Sequence, residues 1–363
     1  MLKRNNVLKV AANIAFNKSE PVSLVHFVTN RCNARCSFCF IDFDNPNIFE
    51  NELTLDEIDL LTKSLGKLLL NVNLTGGEPF ARKDLVDIAK LYIKNSSIIS
   101  IYITTNGSLP DRVSNFIDEI HSFNKKIELG FQISIDDFPE NHNKIRKIDN
   151  LFEKSLETYN LVKNKNFSNV NSHVAITVSK ENCDNVENIY NFLFNDQKIK
   201  NLSCILVRDE GIYKTAEEDK LKILKAYNFL NNKIISDQKK FLIKNHNNKS
   251  ILGKIHSNKD LISYKLTSSI AKTNKYVSPC HASSLFGVIS AKGDVYPCEI
   301  LKNKRIGNLR DYNMNFKKLW SNETNKKNVD YILKTKCFCT YECALSFNIL
   351  GNWRYYPKLF KFF

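Results

Sequence analysis

Thr29-Asn30-Arg31-Cys32-Asn33-Ala34-Arg35-Cys36-Ser37-Phe38-Cys39, directly after the apolar run Val22 to Val28, sets three thiols in a CxxxCxxC spacing. Three such groups can hold three corners of one metal cluster, and no further cysteine occurs before Cys183. Fe–S clusters are normally held by four Cys thiolates, so the loop suits a [4Fe-4S] centre with one iron left open for a small molecule. That is a catalytic arrangement. Structural zinc sites are closed by four ligands, usually as two CxxC or Cys/His pairs, and here the nearest downstream His is His121. A disulfide reading is weaker still, because three is an odd number and the N-terminus does not resemble a signal peptide.

Outward from this loop, residues 21 to 207 alternate short β-branched runs with longer amphipathic stretches, the sign of repeated βα units around a parallel sheet. Six strands are expected: Val22 to Val28, Asn71 to Thr75, Ile98 to Thr104, Glu128 to Ile135, Val170 to Val178 and Leu202 to Val207. Between the first two, Leu53, Ile58, Leu61, Leu65, Leu68 and Leu69 have helical spacing, with Thr54 as N-cap and Glu57 completing a capping box. Six units do not close an eight-stranded barrel, so the fold class is α/β, an open partial TIM barrel (βα)6. Ligands of such folds collect at the C-terminal strand ends, where Cys32, Gly76, Asn106, Asp136 and Arg208 would converge on one mouth.

The chain has 363 residues, 43% of them hydrophobic, and ten cysteines. Length alone suggests about two domains. The cysteine density is below that of a secreted disulfide scaffold and no apolar run approaches the ~20 residues of a membrane span, which points to a reducing cytoplasm. The formal net charge of +15 invites a nucleic-acid partner. None is expected, because the excess is mostly Lys interleaved with Asn and Ile, with no basic stripe carrying stacking aromatics.

A second motif, Thr75-Gly76-Gly77-Glu78-Pro79, follows the strand Val72 to Leu74. Paired glycines permit close backbone approach, and a strand-end carboxylate offers an acceptor for an amine. One βα unit after a three-cysteine loop, this motif resembles that of the radical S-adenosylmethionine (SAM) enzymes. Ile103-Thr104-Thr105-Asn106-Gly107 is similar to the family's third-strand motif, and Ile133-Ser134-Ile135-Asp136 with His142 and Arg146 to its fourth-strand motif. The resemblance covers about residues 21 to 207. It implies that Cys32, Cys36 and Cys39 ligate three irons of a [4Fe-4S] cluster, with the amino and carboxylate groups of an exchangeable SAM on the fourth. It further implies that Gly76, Gly77 and Glu78 hold the amino group, that Ser134 and Arg146 meet the carboxylate and ribose, and that Phe38 packs near the adenine. Asn106 and Asp136 complete the implied cofactor-binding set.

Residues 209 to 276 are Lys- and Asn-rich, with helical stretches such as Leu221 to Ile235, and read as a connector packed on the barrel. Beyond it stand Cys280, Cys298, Cys337, Cys339 and Cys343. Gly293-Asp294-Val295-Tyr296-Pro297-Cys298 resembles the GxxxxC element of the SPASM or shorter twitch extensions, as do Gly307-Asn308-Leu309 and Leu319-Trp320. Five cysteines are too few for the two auxiliary clusters of a full SPASM domain, so one auxiliary Fe–S cluster, of the [4Fe-4S] type, is implied. Cys280, Cys298 and Cys343 are favoured as ligands, with Cys337 or Cys339 as the fourth; a zinc ribbon is the plainer alternative. The domain scheme is then 1–20 an N-terminal helical extension, 21–208 the core, 209–276 the connector and 277–363 the auxiliary domain.

The aromatic and basic tail Trp353 to Phe363 could meet a membrane interface, but packing on its own domain is the stronger reading, and Leu2 to Phe16 reads as a docked helix. The whole describes a radical SAM oxidoreductase or maturase that forms a 5'-deoxyadenosyl radical and abstracts a hydrogen atom from a peptide or small-molecule substrate. Oxidation, bond formation or epimerisation would follow, with an external low-potential electron donor of flavodoxin or ferredoxin type. Cys32 lies so near the N-terminus that a preceding leader-peptide-binding domain is not expected. Two readings from other classes compete: a metal-binding protein that meets nucleic acid, and an Fe–S electron carrier without SAM chemistry.

Overall fold

The computed structural model describes residues 4–209, 213–240 and 251–361. Six βα repeats build its first part. Strand β1 (Ser23–Thr29) leads through the cysteine loop to α2 (Leu55–Lys63), after a short N-terminal helix α1 (Arg4–Ala12). Then come β2 (Asn71–Gly76), α3 (Leu85–Asn95), β3 (Ser100–Thr105), α4 (Pro110–Phe123) and β4 (Glu128–Ser134). Helices α5 (Pro139–Arg146) and α6 (Leu151–Asn164) precede β5 (Val170–Val178), and α7 (Val186–Asn191) precedes β6 (Leu202–Leu206). All five neighbouring pairs among these strands are parallel, as helical crossovers require.

The sheet stays open, in the order β6-β5-β4-β3-β2-β1, and three further strands continue it past β1. β7 (Phe286–Ile289) adds to β1 in parallel, while β8 (Asp294–Tyr296) and β9 (Gly307–Asn308) continue antiparallel. The C-terminal region thus extends the barrel sheet itself. Between β6 and β7 lie two long helices, α8 (Glu217–Lys239) and α9 (Ile251–Thr273). After β9 come α10 (Phe316–Trp320), α11 (Glu323–Lys334), α12 (Glu342–Leu350) and α13 (Tyr356–Leu359).

Strand alternation separates a dry face from a wet one. On the helix-covered face Leu74, Ile101, Ile103, Phe131, Ile133 and Ile176 are buried with Ile88, Ile117 and Ile120 of the helices; truncating one such residue to Ala costs about 2–5 kcal/mol. The concave face carries a polar strip across β1 to β3: Asn71 Nδ2 donates to Ser23 Oγ (3.1 Å) and Ser100 Oγ donates to Asn71 Oδ1 (2.9 Å).

The capping box at Thr54 and Glu57 is formed. The helix ends sooner than the leucine spacing predicts: α2 stops at Lys63, so Leu65, Leu68 and Leu69 lie beyond it. Ser64 turns the chain there, its hydroxyl donating to the Leu61 and Met314 carbonyls at 2.7 and 3.0 Å.

Only part of each terminus docks. Val10 of α1 is buried with Val22 and Leu285, whereas Leu8 and Phe16 are exposed. Leu359 is buried and its carbonyl accepts from Asn258 Nδ2 at 3.0 Å, while Trp353 and Phe360 stay exposed. Leu2, Phe362, Phe363 and residues 210–212 and 241–250 of the expected connector lie outside the described residues. Among the described residues no helix is long and apolar enough to cross a membrane.

Candidate functional site

The cysteine loop is fastened to the barrel mouth by backbone. After β2 the chain turns at Gly76, whose φ of +136° favours glycine. Gly77 N then donates to Thr29 O (2.8 Å) and Glu78 N to Arg31 O (2.8 Å). A Cβ at Gly76 would come within 2.0 Å of the Thr29 carbonyl oxygen, and one at Gly77 within 2.2 Å of that of Arg31. The close approach that the glycine pair permits is therefore to the residues leading into Cys32.

On its other side the loop caps α5. Arg35 N donates to Arg146 O and Ser37 N to Ile145 O, both at 3.1 Å, satisfying carbonyls that a helix C-terminus leaves free. Asn33 joins it to the end of β3, giving a hydrogen bond to Ser108 Oγ (2.9 Å) and taking one from Asn106 Nδ2 (3.0 Å).

Cys32, Cys36 and Cys39 are half-buried and are not joined in disulfides. Ala34 N donates to Cys32 Sγ at 3.3 Å and Ile41 N to Cys39 Sγ at 3.5 Å. Burial pushes the Cys32 thiol up to about 12, with the charges of Glu78, Cys36 and Cys39 adding to it. Burial also raises Cys36, against the pull of Arg146, whose Nη1 stands 3.9 Å from its sulfur. Among the described residues no three His, Cys, Asp or Glu side chains are already gathered around one metal-ion position. The donor chemistry nevertheless fits an iron–sulfur cluster: three thiols lie in one another's field, and a bound cation would offset the cost of ionising them.

Glu78 is buried and its carboxylate is well used. Oε1 accepts from Phe80 N (3.1 Å) and Thr105 Oγ1 (2.8 Å), and Oε2 from Asn106 N (2.8 Å). It ties the end of β2 to that of β3, leaving about one of its four acceptor positions for a ligand. Burial raises its pKa against these bonds.

Asp136 and Arg146 form a second buried unit. Arg146 Nε lies 2.7 Å from Asp136 Oδ2, and Asp136 Oδ1 accepts from Thr177 N at 2.9 Å. Burial works against the Asp136 charge, yet Arg146 and His142 hold its pKa below the usual carboxylate value. Burial holds His142 down at about 4, so it is neutral at pH 7, its Nδ1 accepting from Asp136 N at 3.1 Å. Phe38 lies 5.8 Å from the Arg146 guanidinium, and Ser134 is buried at the end of β4.

The C-terminal cysteines share one small apolar core with Tyr341 and Ala344. Burial pushes Cys280 up to about 12, with Cys337 and Cys298 in its field, and Cys298 up to about 11, with Cys337 also near. Cys339 is raised by burial and by Cys280, Cys298 and Cys337. Cys343 differs: after burial, its field comes from Glu299 and Arg208. Cys337 and Cys339 thus share a field with Cys280 and Cys298, whereas the sequence reading favours Cys343 beside that pair. The reason is local, since Cys343 is in the first turn of α12 while Cys337 and Cys339 lie in the loop before it.

Between the two cysteine groups stands Arg208, just past β6. It is ion-paired with Glu299, and its guanidinium lies 5.4 Å from the Phe40 ring and 4.3 Å from that of Tyr341. Tyr341 donates to Glu299. The sequence marked Arg208 as a strand-end residue but gave no sign of Glu299 or Tyr341, apart from their places beside Cys298 and between Cys339 and Cys343.

Comparison with known proteins gives two family matches, to the Radical SAM superfamily over residues 27–193 and to an iron-sulfur cluster-binding domain, SPASM, over residues 280–344. Together they span well over half of the chain. Among solved structures, native anSMEcpe with bound AdoMet is 20% identical, with a TM-score of 0.61 over 94% of this chain and 96% of that one. Its complex with AdoMet and the Kp18Cys peptide gives 0.59 at the same identity and coverage. Streptococcus suis SuiB bound to precursor peptide SuiA is 15% identical, with a TM-score of 0.56 over 90% of this chain and 70% of that one.

Proposed function

From the premise that this chain belongs to the radical SAM superfamily and carries a SPASM iron–sulfur domain, we propose that it is a peptide-modifying radical enzyme with one auxiliary cluster. The observation that carries this reading is the seating of the three-cysteine loop, fixed to Gly76-Gly77 on one side and to the end of α5 on the other. When bound, a [4Fe-4S] cluster and SAM supply a 5'-deoxyadenosyl radical that takes a hydrogen atom from the substrate.

Cys32, Cys36 and Cys39 hold the cluster in this reading. The remaining acceptor position of Glu78 faces the SAM amino group, while Ser134 and Arg146 bind its carboxylate and ribose. Arg146, held by Asp136, keeps a positive charge beside Cys36. Phe38 stacks near the adenine, and Asn106 holds Asn33 and thereby the loop. Residues 21–208 form the radical core, 209–276 the connector and 277–363 the auxiliary domain, where Cys280, Cys298, Cys337 and Cys339 are the preferred ligand set. A peptide substrate is supported by the peptides named with anSMEcpe and SuiB. Electrons come from an external low-potential donor of the flavodoxin or ferredoxin type.

The test is anaerobic reconstitution, reduction with dithionite and quantification of 5'-deoxyadenosine from SAM. Formation of 5'-deoxyadenosine by the wild type and its loss in Cys36→Ala support the reading; iron binding without that product contradicts it.

A further inference from the structure

A large, partly exposed aromatic residue stands on the concave face of the sheet. Tyr102 sits at the centre of β3 between Ile101 and Ile103, which are fully buried on the helix side, yet Tyr102 itself is 42% exposed. Its ring lies across the neighbouring strand. Tyr102 pairs with Gly130 of β4, and a Cβ at Gly130 would come within 2.4 Å of the ring. The missing side chain lets the ring lie against the sheet, with its other face open.

The far end of the ring is enclosed. Burial raises the Tyr102 hydroxyl pKa, and Lys259, Asp260 and Glu128 lie in its field. Lys259 Nζ is 2.9 Å from Asp260 Oδ1 and 3.3 Å from Ser346 Oγ, so α9 brings an ion pair, held from α12 by a hydroxyl, to the rim of the platform. With Lys259 paired to Asp260 and Glu128 adding an acidic group, the rim disfavours phosphates and other anions. An open aromatic face beside hydrogen-bonding groups suits a flat, neutral ring with a polar edge.

We propose that Tyr102, laid flat by Gly130, is a stacking platform that anchors a neutral aromatic side chain of the substrate, of the indole or phenol kind. The peptide nature of that substrate rests on the function proposed above. Asn106 lies four residues beyond Tyr102, just past the end of β3 at Thr105, so at 3.3 Å per residue the two are at most about 13 Å apart. A peptide covers about 3.5 Å per residue, so the stacked ring belongs to a residue roughly two to four positions from the one presented at the mouth. The platform therefore sets which substrate and which position are offered to the radical.

The test uses the reconstituted full chain with SAM and without reductant. Binding of N-acetyl-tryptophan amide, N-acetyl-leucine amide and methyl glucoside is followed by saturation-transfer NMR. The indole is expected to bind best to the wild type. Tyr102→Phe, which keeps the ring, should match the wild type, whereas Tyr102→Leu and Gly130→Ala should bind the indole about two- to tenfold more weakly, the range of one aromatic pair. Thermal unfolding of each variant separates loss of the platform from loss of the fold. Equal indole binding by wild type and Tyr102→Leu, or a preference for methyl glucoside, overturns the proposal. Since no reductant is present, a chain that stacks indole but never cleaves SAM would break the functional reading and leave the platform standing.

Discussion

The two cysteine groups of this chain are built in opposite ways. Cys32, Cys36 and Cys39 sit half-buried in a single loop, hung by backbone hydrogen bonds between a glycine pair and a helix end. Cys280, Cys298, Cys337 and Cys339 come from three separated stretches and meet within a small apolar core. The first group has three thiols at the barrel mouth, next to Arg146; the second has four in one another's field. On the proposed assignment the first set is incomplete and open to a small molecule and the second is complete and closed, the distinction that separates catalytic from structural metal sites generally.

The largest effect expected sharpens this contrast. Cys36→Ser should reduce 5'-deoxyadenosine formation by at least about 10³-fold, whereas Cys298→Ser and Cys339→Ser should each lower bound iron by about four per chain and leave SAM cleavage within about tenfold of the wild type. Cys343→Ser should keep the iron. Iron assays with product chromatography check all four, and loss of iron in Cys343→Ser would move the auxiliary ligand set.

Next in size is the buried unit behind the first loop. Asp136→Asn leaves Arg146 buried without its partner, a change that costs about 3–5 kcal/mol. Because the folded Asp136 pKa is lowered, its contribution is fully present above its unfolded pKa near 4 and is lost as pH falls through the folded value. The gap between wild type and variant in urea unfolding should therefore narrow below about pH 4 and stay constant toward neutrality.

Gly76→Ala should cost about 1–3 kcal/mol from backbone strain alone, plus displacement of the Thr29 carbonyl. It should also lower iron retention at the first loop, whereas the auxiliary iron should be unaffected. The smallest effect concerns how the C-terminal region is seated. Arg310 reaches Glu57 at 2.5 and 2.9 Å across a partly exposed surface, so Glu57→Gln should cost only about 0.5–1 kcal/mol after solvent screening. Arg310 lowers the Glu57 pKa; the contribution is present above about pH 4.3 and fades as pH falls below it.

Much of this was legible in the residues. The six parallel strands stand within two residues of their expected ends because each carries its own β-branched run and each crossover its own amphipathic period. The capping box of α2 is local and was read correctly; the stop at Ser64 joins a local bond to Leu61 with a distant one to Met314, 250 residues away, and the leucine spacing reports neither. The same holds for β7, whose four residues join β1 only through long-range pairing. At the site, the cysteine spacing identified the loop, while the partner of the glycine pair, the backbone of Thr29 and Arg31, needed three dimensions. Arg208, Glu299 and Tyr341 come from three elements, and no spacing rule connects them.

The contrast between an open and a closed cluster site is tested most directly by electron paramagnetic resonance of the dithionite-reduced protein, recorded with and without SAM in Cys339→Ser and in Cys36→Ser. The expected result is that SAM shifts the signal of Cys339→Ser, where the Cys32 loop keeps its cluster, and leaves that of Cys36→Ser unchanged. A SAM-induced shift in Cys36→Ser, or none in Cys339→Ser with its iron intact, would contradict the assignment of the open corner to the first loop.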